Sequence, residues 1–254
     1  MKSLRALAAI GFAVIALPSI SLLLKVDWLS LITDLNRSGS AIWLSLWSSL
    51  LATFFAIILG VPLAWIFSQS QNSLVSFIRP IVLAPIVMPP TVAGLAMLAF
   101  LGRLGLLGKY IFQWSGWSMP FTSAAVVFAG LFVGLPFVTL ICESTFRNLP
   151  KEVEDAAIID RATATQLFRK IAIPQSRSGI VTGGILAWAR VIGEFGATLM
   201  FAGSMPGRTQ TWTMLIYQQL DVDVRSAYSL SAILLLIAIF VVFTLRKPLV
   251  EAFR

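Results

Sequence analysis

The sequence predicts an all-α, polytopic membrane protein with about six transmembrane helices, and two observations carry that prediction. Hydrophobic residues make up 58% of the 254 positions and charged residues only 12%, with a mean hydropathy of +0.89. That is too little polar surface to cover a water-soluble core of this size. The apolar residues are also gathered into six runs, each close to the roughly 20 residues that cross a bilayer core of about 30 Å.

The runs are approximately Ala6–Leu24, Ala41–Phe67, Arg79–Leu101, Thr122–Cys142, Gly179–Ala202 and Tyr228–Leu245. The first follows Lys2 and Arg5, as a signal peptide would. Its apolar stretch is longer than a signal core and lacks a small-x-small site before Lys25, so it reads as an uncleaved helix. The second is long enough to tilt or to begin in the interface, where Trp43 and Trp47 would sit well. The third carries Pro80, Pro85, Pro89 and Pro90, and the Pro89-Pro90 pair must disturb the helix. Such a break is tolerated in a membrane only where protein or water satisfies the freed backbone groups, so a bent, protein-facing or pore-lining segment is expected there.

Placing the N-terminus inside puts twelve lysines and arginines on inner segments and six on outer ones, so both termini are expected on the cytoplasmic side. The net charge of +8 then reflects loop retention, and no nucleic-acid motif accompanies it. Cys142 is the single cysteine and histidine is absent, which excludes an internal disulfide and removes the commonest metal ligand and general base. No internal repeat, low-complexity tract or linker divides the chain. One membrane domain over residues 1–254 is expected, with a cytoplasmic segment at 143–178.

That segment is the longest polar stretch. Residues Lys151–Lys170 lack glycine and proline and favour helix. Pro150 suits a first turn, and Glu152, Glu154 and Asp155 complement the positive end of a helix dipole. Val153, Ala156, Ala157 and Asp160 share one face, the two alanines allowing close approach, and Pro174 is expected to stop the run. Composition alone leaves a plain connecting helix and a docking segment about equal.

The run Asp155-Ala156-Ala157, then Arg161, then Ile171-Ala172-Ile173-Pro174, resembles the EAA loop of ABC-importer permeases. In that loop Glu-Ala-Ala is followed after three residues by glycine, and nine residues later by Ile-x-Leu-Pro. Asp155 keeps the charge of the glutamate and Ile173 replaces leucine, whereas Arg161 stands at the glycine position. The resemblance implies a type I ABC-importer permease fold, with Glu154, Asp155, Ala156, Ala157, Arg161, Ile171 and Pro174 forming a coupling segment that seats in a cleft of a cytoplasmic ATPase. The chain has no Gly-x-x-x-x-Gly-Lys-Ser/Thr phosphate loop, so ATP and magnesium would be bound by a separate polypeptide, with no cofactor in this one.

The stretch from Trp188 to Thr198, with Ala202 to Thr211, resembles permeases for molybdate and, less closely, for sulfate. Met88-Pro89-Pro90-Thr91-Val92-Ala93-Gly94 and Leu101 to Gly108 resemble the same group. The resemblance implies a homodimer in the bacterial inner membrane, working with two ATPases and an external oxyanion-binding protein, amid lipid and without nucleic acid. It implies no enzymatic chemistry in this chain.

Arg190 and Glu194 are the one ionisable pair inside an expected span, four residues apart on one face. Charges at membrane depth face a bundle interior or a watery path. The pair is either a lock between helices or a gate, and the lock is favoured because Glu194 repels an anion unless Arg190 neutralises it. Gly183, Gly184, Gly193 and Gly196 read as packing contacts. Pro89, Pro90, Thr91, Arg190, Glu194 and Thr198 are the candidates for the translocation path or gate, with a plain kink as the alternative at the prolines. Arg208 and Thr209 are candidates for outer-loop contact with solute or binding protein. Molybdate is preferred on resemblance alone. Sulfate and tungstate remain alternatives in the same class, and an ATPase-independent carrier or a scaffold subunit are alternatives from others.

Overall fold

The structure, a computed structural model, describes residues 1–70, 72–150, 152, 159 and 161–252, the side chains of Lys2 and of residues 245–252 excepted. The regular elements among the described residues are all helical, the form in which a segment satisfies its own backbone donors and acceptors in hydrocarbon. In chain order they are α1 (Lys2–Leu24), α2 (Leu31–Arg37), α3 (Gly39–Gln69), α4 (Ser73–Leu83) with a 3-10 turn at Ala84–Ile86, α5 (Pro90–Leu101), α6 (Gly108–Ser115) and α7 (Ser123–Arg147). After these come α8 (164–175), α9 (Arg177–Ile192), α10 (Gly196–Ala202), α11 (Trp212–Val222) and α12 (Val224–Ala252).

Among the described residues, Ser3–Leu24, Gly39–Gln69, Ser123–Arg147 and Val224–Thr244 are each long and apolar enough to cross a membrane unbroken. The other two expected spans fall on bent helix pairs among the described residues, so the count is four, rising to six where each bent pair is taken as one span. The third starts at Ser73 rather than Arg79 and breaks after Ile86, where the helix direction bends by 118°. Pro89 is extended (φ −54°, ψ 134°) because a residue before proline is pushed out of the helical region. Pro90 then opens α5 at a position where its missing N–H costs nothing. The fifth span breaks between Ile192 and Gly196 with an angle of 63°. Pro174 does not end the cytoplasmic run as expected. A π-helical stretch, Leu167–Ala172, leads into Ile173–Gln175, the wider turns carrying the chain through the proline, and only Ser176 separates it from α9.

Helix α7 is central and takes part in both buried clusters. At one end Ala125, Ala129 and Val133 meet Ala93 and Met97 of α5 and Ala197 and Phe201 of α10. At the other, Val138, Cys142 and Phe146 meet Ala56 and Ala64 of α3, Ala172 of α8 and Ala187 of α9. Small residues dominate because lipid tails are as apolar as leucine, so helices associate through close van der Waals approach. A Cβ at Gly130 would come within 2.7 Å of Val191 and 2.9 Å of Ala52, and one at Gly184 within 2.9 Å of Ile57. Gly184 and Gly196 therefore pack as the sequence suggested, whereas Gly193 is exposed and meets only its own turn. The opposite faces present Leu50, Phe54, Ile58 and Leu59 of α3 outward, as expected of lipid contact. None of the apolar window of α1 is buried within the protein.

Gly130→Val should lower thermal stability in detergent by roughly 1–3 kcal/mol through overpacking of α3, α7 and α9. Gly11→Ala, where an added Cβ meets nothing within 4 Å, should cause no loss in the same assay.

Candidate functional site

The two breaks face one another. A Cβ at Gly196 would lie 2.7 Å from Cβ of Pro90, so the start of α10 rests directly on the start of α5. This juxtaposition gathers Pro89, Pro90, Thr91, Arg190, Glu194 and Thr198 into one region. Pro89, Pro90 and Thr91 are exposed on the single chain, whereas Glu194 and Thr198 are buried.

Glu194 holds its elbow together. Its Oε2 lies 2.6 Å from NH1 of Arg190, one turn back on α9. Its Oε1 accepts the N–H of Ala197 at 2.9 Å, which satisfies one of the orphan donors at the start of α10. The backbone carbonyl of Glu194 accepts from Thr213 Oγ1 at 2.8 Å, adding α11. The carboxylate is 3% exposed and the arginine side chain 38%, so the negative charge is sealed and the positive one reaches outward. Around Glu194 lie Ser45, Ser48, Thr198 and Thr211, enclosing a cavity of about 10 Å³. That holds at most one water and no oxyanion. Ser45 and Ser49 spend their hydroxyls on the framework, accepting from Trp212 N–H at 2.7 Å and from Trp188 Nε1 at 3.0 Å. In this conformation the pair has the geometry of a lock.

The loop after α10 divides the two residues expected there. Arg208 is exposed beside Gly207 (φ 71°), and its carbonyl accepts from Ser123 Oγ at 2.9 Å. Thr209 is fully buried. Its Oγ1 accepts from Met205 N–H at 3.0 Å and its own N–H reaches Met205 O at 2.9 Å. It closes the turn and is not available for outer contact, a correction to its expected role.

On the coupling side, Glu154, Asp155, Ala156 and Ala157 lie outside the described residues. Arg161 is in the left-handed region at φ 57°, where a Cβ is strained and where the resembling loop has glycine. Thr163 then starts α8 with a reciprocal capping box: its Oγ1 accepts from Gln166 N–H, and its own N–H donates to Gln166 Oε1. The expected helix of Lys151–Lys170 is thus interrupted at 161–163. The ring of Phe168 of α8 lies tilted against Trp65 of α3 and edge-on to Phe146 of α7, with ring centroids 5.7 and 6.3 Å away. Ala172 is buried against the same helices, while Ile171 is half-buried and Pro174 exposed.

One charged cluster escaped the sequence reading. Glu143, assigned there to the polar segment, lies within α7 and is 1% exposed. It takes Arg79 of α4 through Nε and NH2 at 3.0 and 2.9 Å, and Arg147, one turn on, at 3.0 and 2.9 Å. Arg147 also donates to the carbonyl of Phe67 at the end of α3, at 3.0 Å. The i,i+4 spacing of Glu143 and Arg147 was the available signal, and nothing local to it pointed to Arg79.

The sequence profile of the family described as "Binding-protein-dependent transport system inner membrane component" matches residues 56–252. Among curated proteins, the chain is 38% identical over 238 residues to the molybdenum transport system permease protein ModB of Mycobacterium tuberculosis, covering 92% of this chain and 89% of that one. It is 35% identical to the probable transport system permease protein NifC of Clostridium pasteurianum, over 90% of this chain and 81% of that one. Among solved structures, a bacterial ABC transporter involved in import of the acidic polysaccharide alginate superposes with a TM-score of 0.72 at 15% identity, covering 96% of this chain and 94% of that one. The MetNI methionine ABC transporter in an inward-facing conformation gives 0.64 at 17%, covering 84% and 95%. At such identities these two speak for the fold alone.

Glu143→Ala should lower stability, because it removes the shared acceptor that ties α4 to α7; the two half-exposed guanidinium groups regain solvent, which keeps the loss below that of a stranded buried charge. Thermal unfolding of the purified protein in detergent checks this.

Proposed function

This chain belongs to the binding-protein-dependent transport system inner membrane components and is the permease of an ABC transporter, not its ATPase; from that premise we propose that it carries molybdate across the bacterial inner membrane. The observation that carries the solute is the 38% identity to a molybdenum transport permease over 92% of the chain. Two copies of the chain would enclose the path, with the exposed Pro89-Pro90-Thr91 elbow of each turned toward its partner. Two ATPase subunits would bind ATP and magnesium. An external oxyanion-binding protein would deliver the solute near Arg208, with both termini on the ATPase side. Within the segment 143–178 of the one membrane domain, Glu154, Asp155, Ala156, Ala157, Arg161, Ile171 and Pro174 would seat on the ATPase.

The aromatic contacts give this coupling a physical route. Phe168 presses on Trp65 and Phe146, so a displacement of α8 by the ATPase loads α3 and α7 together. Those helices carry Ser45, Ser48 and Gly130, which close around Glu194. Moving them apart would open the elbow region to a dianion, with the outward-reaching Arg190 guanidinium the first cation it meets. Because Glu194 stays paired, Arg190 attracts the anion only as far as its charge is not already neutralised. Its first role is therefore to hold the elbow.

The decisive assay reconstitutes the complete complex in liposomes with a loaded binding protein and follows ATP hydrolysis and uptake together. Molybdate-loaded binding protein should stimulate both. Stimulation by sulfate alone would replace the solute, and uptake that persists with a hydrolysis-deficient ATPase would overturn the ATP-driven class. Arg190→Ala should reduce assembled complex, since an unpaired buried carboxylate costs about 3–5 kcal/mol, with uptake falling in proportion to the complex recovered. Normal assembly with lost uptake would make Arg190 a path residue instead.

A further inference from the structure

A cavity of about 550 Å³ opens between α4 and the ends of α3 and α7, on the side of the molecule that carries α8. Its polar lining is Ser70, Ser76, Arg79 and Arg147, and its apolar lining includes Val75 and Leu83. Both arginines hold Glu143, yet their side chains are 42% and 46% exposed while the carboxylate is sealed at 1%. The cluster therefore presents one positive charge in excess to the cavity. Each guanidinium spends its Nε–NH2 edge on Glu143, and the half-exposed remainder of each lines the cavity with further N–H donors of the kind that bind phosphate oxygens.

The surroundings decide where such a phosphate comes from. Arg147 terminates the membrane-spanning α7, and Ser70 directly follows the membrane-spanning α3, so the cavity sits at the boundary between hydrocarbon and headgroup. Helix α4, which forms one wall, has no buried residue and exposes Phe77 and Ile81 beside Arg79 and Pro80. A free anion has no use for that apolar flank, whereas acyl chains do. We propose that the Arg79–Arg147 cavity binds the phosphate headgroup of an anionic phospholipid, whose acyl chains lie along α4. The site pins α4 to α3 and α7 and is separate from the transport path at the elbows. The assignment rests on this geometry and holds whichever solute is carried.

The test uses the complex with its ATPase, purified in detergent, and lipid retention read by native mass spectrometry with thermal stability read alongside. Phosphatidylglycerol should be retained and should raise the midpoint, whereas phosphatidylcholine and millimolar inorganic phosphate should do neither. Arg79→Gln should weaken retention about fivefold, as expected for the loss of one cation near an anionic surface. Because Arg79→Gln also disturbs Glu143, Ser76→Glu serves as the second variant. It adds a negative charge to the cavity wall at an exposed position and should abolish the phosphatidylglycerol effect while leaving the lipid-free midpoint unchanged. Equal retention of both lipids, or an unchanged effect in Ser76→Glu, overturns the site. A shift reproduced by inorganic phosphate overturns the lipid assignment in favour of a free anion. Retention seen only without the ATPase would assign this face to the protein partner instead.

Discussion

Close approach of α7 to α3 and α9 is the constraint on which the rest of this structure depends. In lipid there is no gain from hiding leucine, so helices stay together only where their backbones come near enough for dense contact. Gly130 against Val191 and Ala52, and Gly184 against Ile57, provide that nearness. The alanines of both buried clusters extend it along the length of α7. Once these three helices are fixed, α5 and α10 have one end of α7 to pack on and α8 has the other. The polar clusters at Glu194 and Glu143 occupy the gaps left between them.

Breaking a helix in a membrane frees backbone groups that must find other partners, and the two elbows solve this differently. At Pro89-Pro90 there is little to satisfy, because proline brings no N–H to the first turn of α5. At 193–195 the donor of Ala197 is met by a carboxylate, and the charge thereby buried is met by Arg190. The second solution needs a cation at a fixed place and is the more demanding. The contact of Gly196 with Pro90 makes the two elbows geometrically dependent, so neither angle can change alone.

Much of this was legible in the sequence because hydrocarbon imposes a length and a composition on whatever crosses it. The run at Ala41–Phe67 falls inside α3, that at Thr122–Cys142 begins on the N-cap of α7 and otherwise lies within it, and the family resemblance around Trp188–Thr198 was sound. The break at Pro89-Pro90 was readable from proline chemistry, but its angle was not, being set by packing against Gly196. The start of α4 was placed too late because Arg79 read as the boundary of the apolar run, although Leu74, Val75, Phe77 and Ile78 before it already belong to the helix. Glu143 was counted with the polar segment because hydropathy falls off there, although the helix continues to Arg147. Pro174 looked like a terminator, and the π-helical turns before it, a property of backbone geometry rather than composition, carry the chain past it. Thr209 looked like a surface hydroxyl, and only the turn back to Met205 buries it.

The grip of two arginines on Glu143 also limits how these helices can move. Sliding α4 along α7 by a single turn of about 5.4 Å would part Arg79 from the carboxylate, and sliding α3 would part Phe67 from Arg147. Translation along the membrane normal is thus closed off at this end of the bundle. Tilting about the carboxylate as a pivot keeps every one of these bonds and is largest at the far end of a lever. Helices α3 and α7 are such levers, joined at Glu143 and Phe67, with Ser45 and Val126 at their far ends around Glu194. A small rotation at the α8 end becomes a wider separation at the elbows, so the geometry favours rocking over piston motion.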